Sequence, residues 1–536
     1  MTIQENRIHL KWEPREEQKQ ILAFFQKSIQ QNKKYILVES PVGTGKSYSA
    51  ILMIDWYLKN INENAKFDIL TNTKILQDQY LRDFDFISSI KGKENYFCKT
   101  FQMSCDEAQD YSKHSSKKCK SCLYKIDYLN FLGSTVSLTN FHLYSSYAIY
   151  IPDFFEKRDS EVLIIDESHS FEDTFCDFLS SQISQEILRN DLRIWEERFF
   201  YHMLKINTIH EYIEFLEKTI VPKLNNNIEI IKEEISMLAA DFEKNKDEII
   251  KRIKEEKKID RYLCKYRRLL KNKDYIEKWV FEKSGDNIDD IIISAEPVWS
   301  RDYIKDIIWK NYKYIICLSG TILDKDFFSE MMGFEKEKTS FISLKCPFKK
   351  ENRKIYYIDS IGKMSYKEKN STIKRMIPIV KEIVDQNKHK GIIHTGNYEV
   401  SNWIKEHIQN KRLLIHSSKD REELYKYHLQ SDSATVLVSP SMQQGIDLYD
   451  ELSRFQIIMK IPYPNLISKK NKKRMEDNKF WYTWKTINLI VQSYGRSIRN
   501  VDDFAETYIL DQCFTNLLNF NKKHIPDYFL EAIQIL

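Results

Sequence analysis

Short apolar runs alternate with segments whose apolar residues recur at helical spacing along most of the chain. Such runs, bounded by polar residues, predict buried strands. In the first half the predicted strands are 35–38, 67–73, 135–142, 161–165, 291–293 and 314–318. In the second half they are 354–358, 391–394, 413–416, 435–439 and 454–459. Because helical patterns lie between many of these strands, we predict an α/β protein with two mainly parallel sheets.

The segment 171–285 departs from this alternation. It contains no glycine before its last residue and is rich in Glu, Lys, Ile and Leu. Its apolar residues step by three and four positions at Ile228, Ile231, Ile235, Leu238 and Phe242, and return at Ile249 and Ile253. This spacing predicts an amphipathic, coiled-coil-like helix within a helical insertion that carries no chemistry. We interpret its charged stretch 251–258 as a solvated helix face rather than a nucleic-acid patch.

The stretch 40–47 lies between the first predicted strand and a helical pattern at 48–57, which is the context of a phosphate-binding loop. Gly43 and Gly45, on either side of Thr44, would let the backbone bend around phosphate oxygens. Lys46 would reach the β- and γ-phosphates, and the Ser47 hydroxyl would ligate Mg²⁺. Ser40 stands where the simple pattern has glycine, and a chance glycine turn is the alternative. The strand before the loop and the helix after it favour a nucleotide site.

The predicted strand 161–165 runs directly into a second polar motif, 166–169. A carboxylate at such a strand end can hold Mg²⁺, usually through water, and its neighbour can polarise the attacking water. We assign the first role to Asp166 and the second to Glu167, and His169 could couple the site to a neighbouring domain. An acidic strand end alone is ambiguous, but together with the phosphate loop it predicts an NTPase.

Weaker signals lie elsewhere in the chain. Arg15 and Gln18, upstream of the loop, could contact an adenine or simply begin a solvated helix. The polar strand end 71–73 could hold a phosphodiester backbone or cap the next helix. Arg496 and Arg499 are three residues apart and share a helical face. They fit an arginine finger from a second domain, with surface salt bridges as the alternative.

Four of the nine cysteines cluster in a lysine-rich insert, 92–124, with the spacing C-x6-C-x13-C-x2-C. They are Cys98, Cys105, Cys119 and Cys122. Four thiolates so placed can form one S₄ site for either Zn²⁺ or an iron–sulfur cluster, and the spacing alone does not choose. Four unrelated reduced thiols are the third possibility.

Composition narrows the class of protein further. The 536 residues should form two to four domains, and the net charge of +5 neither demands nor excludes nucleic acid. No apolar run approaches the ~18 residues of a membrane span. The polar N-terminal stretch lacks the apolar core of a signal peptide. We therefore expect an intracellular protein without membrane or disulfide framework, in the cytoplasm or, in a eukaryote, the nucleus.

Taken in order, the motifs resemble those of superfamily 2 helicases of the XPD/DinG type. The match comprises a Q-type motif (Arg15, Gln18), motif I (40–47), motif Ia (71–79), the lead-in to the first cluster cysteine (91–98), motif II (166–169), motif III (319–321), motif V (Gly445, Asp447) and motif VI (Gln492, Gly495, Arg496, Arg499). Gln444 departs from the family, which usually has glutamate there.

The resemblance implies two RecA-like motor domains, the first interrupted by an iron–sulfur insertion and a helical arch. The implied boundaries are 1–91, 135–170 and 291–340 for the first motor, 92–134 for the cluster, 171–290 for the arch and 341–536 for the second motor. The cofactors would be ATP, Mg²⁺ and a [4Fe–4S] cluster held by the four cysteines. Asp447 and Gln492 would join the nucleotide contacts.

The resemblance also implies a monomeric enzyme that moves 5′→3′ on single-stranded DNA and unwinds forked or tailed duplexes. Two other interpretations stay open. One is an ATP-driven translocase that remodels R-loops or protein complexes without strong unwinding. The other is a zinc-bearing nucleic-acid-binding scaffold with a vestigial ATP site.

Overall fold

The computed structural model describes residues 12–41, 43–112, 119, 122–151, 153–241, 244–417, 419–440, 448, 450–495 and 503–536. Two seven-stranded sheets organise the chain, and every strand pairing within them is parallel. The prediction of an α/β fold with two parallel sheets is confirmed. None of the helices in the described part combines the length and apolar character that crossing a bilayer would require.

The first sheet builds the first unit of the protein. Its strands, in spatial order, are Thr339–Ser343, Tyr35–Glu39, Tyr314–Ser319, Val162–Asp166, Phe67–Thr71, Val136–Asn140 and Ser88–Ser89. Helices of this unit are Glu16–Gln30, Lys46–Asn60, Lys74–Asp83, Phe141–Tyr150, Phe154–Arg158, Phe171–Leu179, Arg301–Ile307 and Lys325–Met332. Helices cover both faces of the sheet, so the central strands are buried along their length. This burial on both faces explains why these strands appear in the sequence as nearly continuous apolar runs.

Two predicted strands end earlier than expected because a helix cap follows each one. Asn140 closes one strand, and its side chain accepts a hydrogen bond from the Leu143 N–H in the next helix. Thr73 does the same for the Leu76 N–H. Short polar side chains favour the cap position, so the polar ends of these runs belong to helix starts.

The second sheet builds the second unit. Its strands, in spatial order, are Leu413–Ile415, Val436–Ser439, Gly391–His394, Phe455–Ile458, Glu506–Ile509, Ile355–Tyr357 and Ile533–Ile535. Its helices are Lys369–Gln386, Tyr398–His407, Arg421–Gln430, Lys469–Asp477, Lys479–Tyr494, Phe514–Asn521 and Asp527–Leu530. The five strands predicted here are present. The two nearest the C-terminal end were missed because polar and apolar residues alternate in them, so neither forms an apolar run.

Two insertions interrupt the first unit. The cysteine-bearing one has strands Phe97–Cys98 and Met103–Ser104 and helices Cys105–Tyr111 and Leu123–Gly133. The second contains helices Glu197–Lys205, Ile209–Phe215, Val221–Leu238 and Lys246–Lys271. It also contains an antiparallel sheet of Ser181–Ser184, Ile292–Pro297 and Trp279–Ser284.

The second insertion differs from its prediction in two respects. The pattern from Ile228 to Ile253 forms two helices that share a buried core, not a single helix. The predicted strand 291–293 belongs to the small antiparallel sheet and not to the first parallel sheet. Alternating polar residues in these short strands, as in Ser181–Ser184, hid the sheet from a search for apolar runs.

Candidate active site

The carboxyl ends of three adjacent strands meet at one edge of the first sheet. These strands are Tyr35–Glu39, Tyr314–Ser319 and Val162–Asp166, and each leads into one of the polar motifs. Parallel α/β sheets bind ligands at this edge. The fold therefore brings the phosphate loop, the acidic motif and the segment after Ser319 together.

The phosphate loop bends where the sequence predicts. Gly43 and Gly45 have φ of 83° and 77°, the left-handed region in which a side chain is strained. The Thr44 hydroxyl donates 2.8 Å to the Pro41 carbonyl and lies 2.5 Å from the Ser40 Oγ. Ser40, which departs from the simple pattern, therefore stabilises the loop through a buried contact with Thr44. The helix begins at Lys46, directly after the loop.

Arg15 and Gln18 lie against the loop backbone. The Arg15 guanidinium donates 3.3 Å to the Gly43 carbonyl, and the Gln18 amide donates 3.5 Å to the Gly45 carbonyl. A methyl group at Gly45 would come within 2.5 Å of the Gln18 Nε2. These two residues thus hold the loop in the structure.

Asp166 and Glu167 lie next to the loop lysine. The Lys46 Nζ is 3.5 Å from the Glu167 Oε1. Asp166 is buried, its Oδ1 accepting the Glu167 N–H at 2.9 Å and its Oδ2 the Tyr80 hydroxyl at 2.9 Å. Burial and the neighbouring Glu167 charge raise the pKa of Asp166 to about 6. A carboxylate held this way is suited to a divalent cation, which would restore its charged form. Sequence reasoning missed Tyr80, because nothing local marks it.

His169 links the acidic motif to the segment after the neighbouring strand. Its Nδ1 lies 3.4 Å from the Glu167 Oε2 and 3.0 Å from the Ser319 Oγ. The Ser319 Oγ in turn accepts the Thr321 N–H at 3.0 Å. Polar contacts therefore run from Glu167 through His169 and Ser319 to Thr321.

Thr321 joins the two units of the protein. Its hydroxyl oxygen accepts hydrogen bonds of 2.8 Å from both Asn488 and Gln492, on the helix Lys479–Tyr494 of the second unit. The Trp484 indole N–H donates 2.8 Å to the Ile322 carbonyl beside it. Gln492, expected at the nucleotide, thus contacts Thr321. Gly445, Asp447, Arg496 and Arg499 lie outside the described residues.

Glu39 is a functional candidate that the sequence analysis did not identify. It ends the strand before the loop and is buried, and its carboxylate accepts the N–H groups of Ile322 and Leu323 and the Ser343 hydroxyl. Burial raises the pKa of Glu39, while these hydrogen bonds favour its charged form. Leu323 has a φ of 67°, which is strained for leucine. Glu39 therefore fixes a strained turn beside Thr321.

Arg474 forms a second link between the units. Its guanidinium donates to the carboxylates of Glu172 at 2.9 Å and Asp173 at 2.7 Å, in the helix directly after the acidic motif. It also lies over the rings of Trp299 and Trp481. Because a buried guanidinium needs such partners to offset its desolvation, removing either carboxylate would leave buried charge that is incompletely compensated.

The four clustered cysteines are in thiol form and lie in two pairs. The Sγ atoms of Cys98 and Cys119 are 3.7 Å apart, and those of Cys105 and Cys122 are 3.6 Å apart. Burial and the Cys122 thiol raise the pKa of Cys105 to about 12. Among the described residues no three ligands converge on a point where a single metal ion would lie. An all-thiol donor set fits either Zn²⁺ or an iron–sulfur cluster, so the four residues are compatible with both.

Comparison with known proteins finds two matching families and several named helicases. Residues 11–193 match the family described as type III restriction enzyme, res subunit, and residues 380–533 match the helicase C-terminal domain. A protein of Methanocaldococcus jannaschii, named "probable ATP-dependent helicase", is 22% identical over 94% of this chain and 92% of its own length. The ATP-dependent DNA helicase DinG of Photobacterium profundum is 24% identical over 45% of this chain and 37% of its own length.

A solved structure titled XPD helicase shares the fold. It has a TM-score of 0.63 and 16% identity, covering 98% of this chain and all of that chain. The two matched domains and the named relatives support an ATP-dependent DNA helicase. In fold and in the order of its motifs, the chain resembles helicases of the XPD/DinG type.

Proposed function

We propose that the enzyme translocates 5′→3′ on single-stranded DNA and unwinds tailed or forked duplexes at the expense of ATP. The observation that carries the proposal is the series of polar contacts from Lys46 and Glu167 through His169 and Ser319 to Thr321 and Gln492. A change at the nucleotide can therefore alter how the two units meet.

Each residue at the nucleotide edge has a role in hydrolysis. The Lys46 ammonium, now beside Glu167, turns to the β- and γ-phosphates and leaves the Glu167 carboxylate to orient the attacking water. Ser47 and Asp166 would hold Mg²⁺, which supplies positive charge at the phosphates. Arg496 and Arg499 of the second unit would stabilise charge on the transferred phosphoryl group.

The DNA strand is proposed to cross the carboxyl edge of the first sheet at motif Ia and pass the cysteine-bearing insertion. The Phe97 side chain, 55% exposed beside Cys98, is available to stack on a base. The Tyr96 hydroxyl instead accepts the Lys91 N–H and shapes the lead-in loop. Stacking without base-edge contacts suits binding that is independent of sequence.

The [4Fe–4S] cluster is proposed to be held by Cys98, Cys105, Cys119 and Cys122. It would cross-link the short strands and helices of this insertion. Ion pairs join the helix after Cys105 to the second insertion, Lys254 to Glu107 at 2.7 Å and Lys257 to Asp106 at 3.0 Å. These contacts join the two insertions, and one DNA strand is proposed to pass beside them.

We further infer that the enzyme works as a monomer, since one chain carries both halves of the nucleotide site. It would act wherever its DNA substrate is found, the cytoplasm of a prokaryote or infected cell, or a nucleus.

The proposal is tested by strand displacement from a tailed duplex with ATP and Mg²⁺, comparing the wild type with Lys46→Ala. We expect displacement by the wild type, and neither displacement nor hydrolysis by Lys46→Ala, whose fold should be intact by circular dichroism. DNA-stimulated hydrolysis without displacement would favour a translocase. Near-normal hydrolysis by Lys46→Ala would contradict the assignment of the loop.

A further inference from the structure

Tyr80 contacts the acidic motif from a different element of the fold. It lies on the helix Lys74–Asp83, is fully buried, and donates its hydroxyl to the Asp166 Oδ2 at 2.9 Å. The other oxygen, Oδ1, accepts the Glu167 N–H at 2.9 Å. Two donors from two elements therefore fix the plane of the Asp166 carboxylate.

The Tyr80 ring is held in place by its surroundings. The helix begins at the end of the strand Phe67–Thr71, which pairs directly with the strand that ends in Asp166. The ring belongs to the buried core beneath the sheet and lies 6.0 Å from the Phe84 ring. Because close-packed cores leave little room for other rotamers, the hydroxyl stays directed at Asp166.

We propose that Tyr80 is a positioning residue that holds the Asp166 carboxylate in the orientation in which it receives hydrated Mg²⁺. Each carboxylate oxygen has two acceptor sites, so Tyr80 and the Glu167 N–H leave one on each oxygen for a metal-bound water. Without Tyr80, the Glu167 N–H is the one donor to this carboxylate that remains among the described residues, so the carboxylate can rotate. Partners of metal ligands act in this way in many sites. The inference rests on the proposed role of Asp166 as the Mg²⁺ ligand.

The test replaces Tyr80 by phenylalanine, which keeps the ring and removes only the hydroxyl. We expect the Mg²⁺ concentration for half-maximal ATP hydrolysis to rise about tenfold, the lower end of the effect of losing such a partner. Mn²⁺ bound with ADP, measured by electron paramagnetic resonance, should weaken by a similar factor. The fold-rise in the half-saturating Mg²⁺ concentration should exceed the fold-loss of the hydrolysis rate at saturating Mg²⁺.

Tyr57→Phe is the matched control. The Tyr57 ring is buried, and its hydroxyl donates to the Glu161 Oε1 at 2.8 Å, another tyrosine–carboxylate pair that lies away from the phosphate loop. This variant should lower the melting temperature and leave Mn²⁺ binding unchanged. If Tyr80→Phe behaves in the same way, Tyr80 is only structural and the inference is overturned. If the wild type itself binds no Mn²⁺ with ADP, the assignment of Asp166 fails first.

Discussion

The Thr321 hydroxyl is one point at which the first unit contacts the helix Lys479–Tyr494, and Thr321→Val removes this hydroxyl with little change of shape. Two side-chain hydrogen bonds of 2.8 Å, from Asn488 and Gln492, are lost. Asn488 keeps its hydrogen bond of 3.0 Å to the Thr321 carbonyl. The Gln492 amide, in contrast, loses the Thr321 hydroxyl as its acceptor. At ~1 kcal/mol for each neutral hydrogen bond, contact between the units weakens by about 2 kcal/mol. That is about 30-fold in the ratio of joined to separated units.

This loss should appear in coupling rather than in nucleotide binding, because Thr321 lies beyond His169 and Ser319 from the phosphate loop. We expect base pairs unwound per ATP hydrolysed to fall markedly and the half-saturating ATP concentration to change little. The assay measures displacement and phosphate release on the same 5′-tailed duplex.

Thr486→Val provides the control for Thr321→Val. Thr486 is as buried as Thr321 and lies on Lys479–Tyr494, the helix that Thr321 contacts. Its hydroxyl, however, donates to the Tyr482 carbonyl within that helix. It should unwind nearly as well as the wild type. Equal behaviour of the two variants would refute the idea that Thr321 transmits the state of the nucleotide.

Further predictions concern the acidic motif and the cysteines. Asp166→Asn should abolish hydrolysis yet raise the melting temperature of the nucleotide-free protein, more at pH 8 than at pH 5. Burial raises the pKa of Asp166 from 3.8 to about 6, so the folded wild type loses stability as the pH rises through that window. An equal rise in melting temperature at pH 5 and pH 8 would contradict the idea that a buried, charged Asp166 carboxylate destabilises the wild type. Cys119→Ser should lose iron and sulfide, which chemical analysis measures. It should also lose unwinding while retaining some ATP hydrolysis. Full unwinding by this variant would show that no cluster is needed.

What the sequence predicts is local in the chain. Lys46 and Asp166 stand out as candidates because each motif directly follows an apolar strand, and the strand and the motif lie within one short window. The parallel sheets were predicted for the same reason, since buried strands are continuous apolar runs.

What the sequence did not predict depends on contacts between distant segments. Tyr80 meets Asp166 from 86 positions away, and Arg474 meets Glu172 from 302 positions away. A hydrogen bond between such segments leaves no periodic pattern in either of them. Glu39 was also missed, although an acidic residue that ends a buried strand is a local signal that could have pointed to it.

Unwinding polarity, on protein purified without oxygen, tests the proposed helicase activity most directly. Duplexes with a 5′ or a 3′ single-stranded tail are compared with ATP and Mg²⁺. We predict that only the 5′-tailed duplex is unwound. Unwinding only from a 3′ tail would contradict the proposed direction of movement and the proposed path of the strand past the cysteine-bearing insertion.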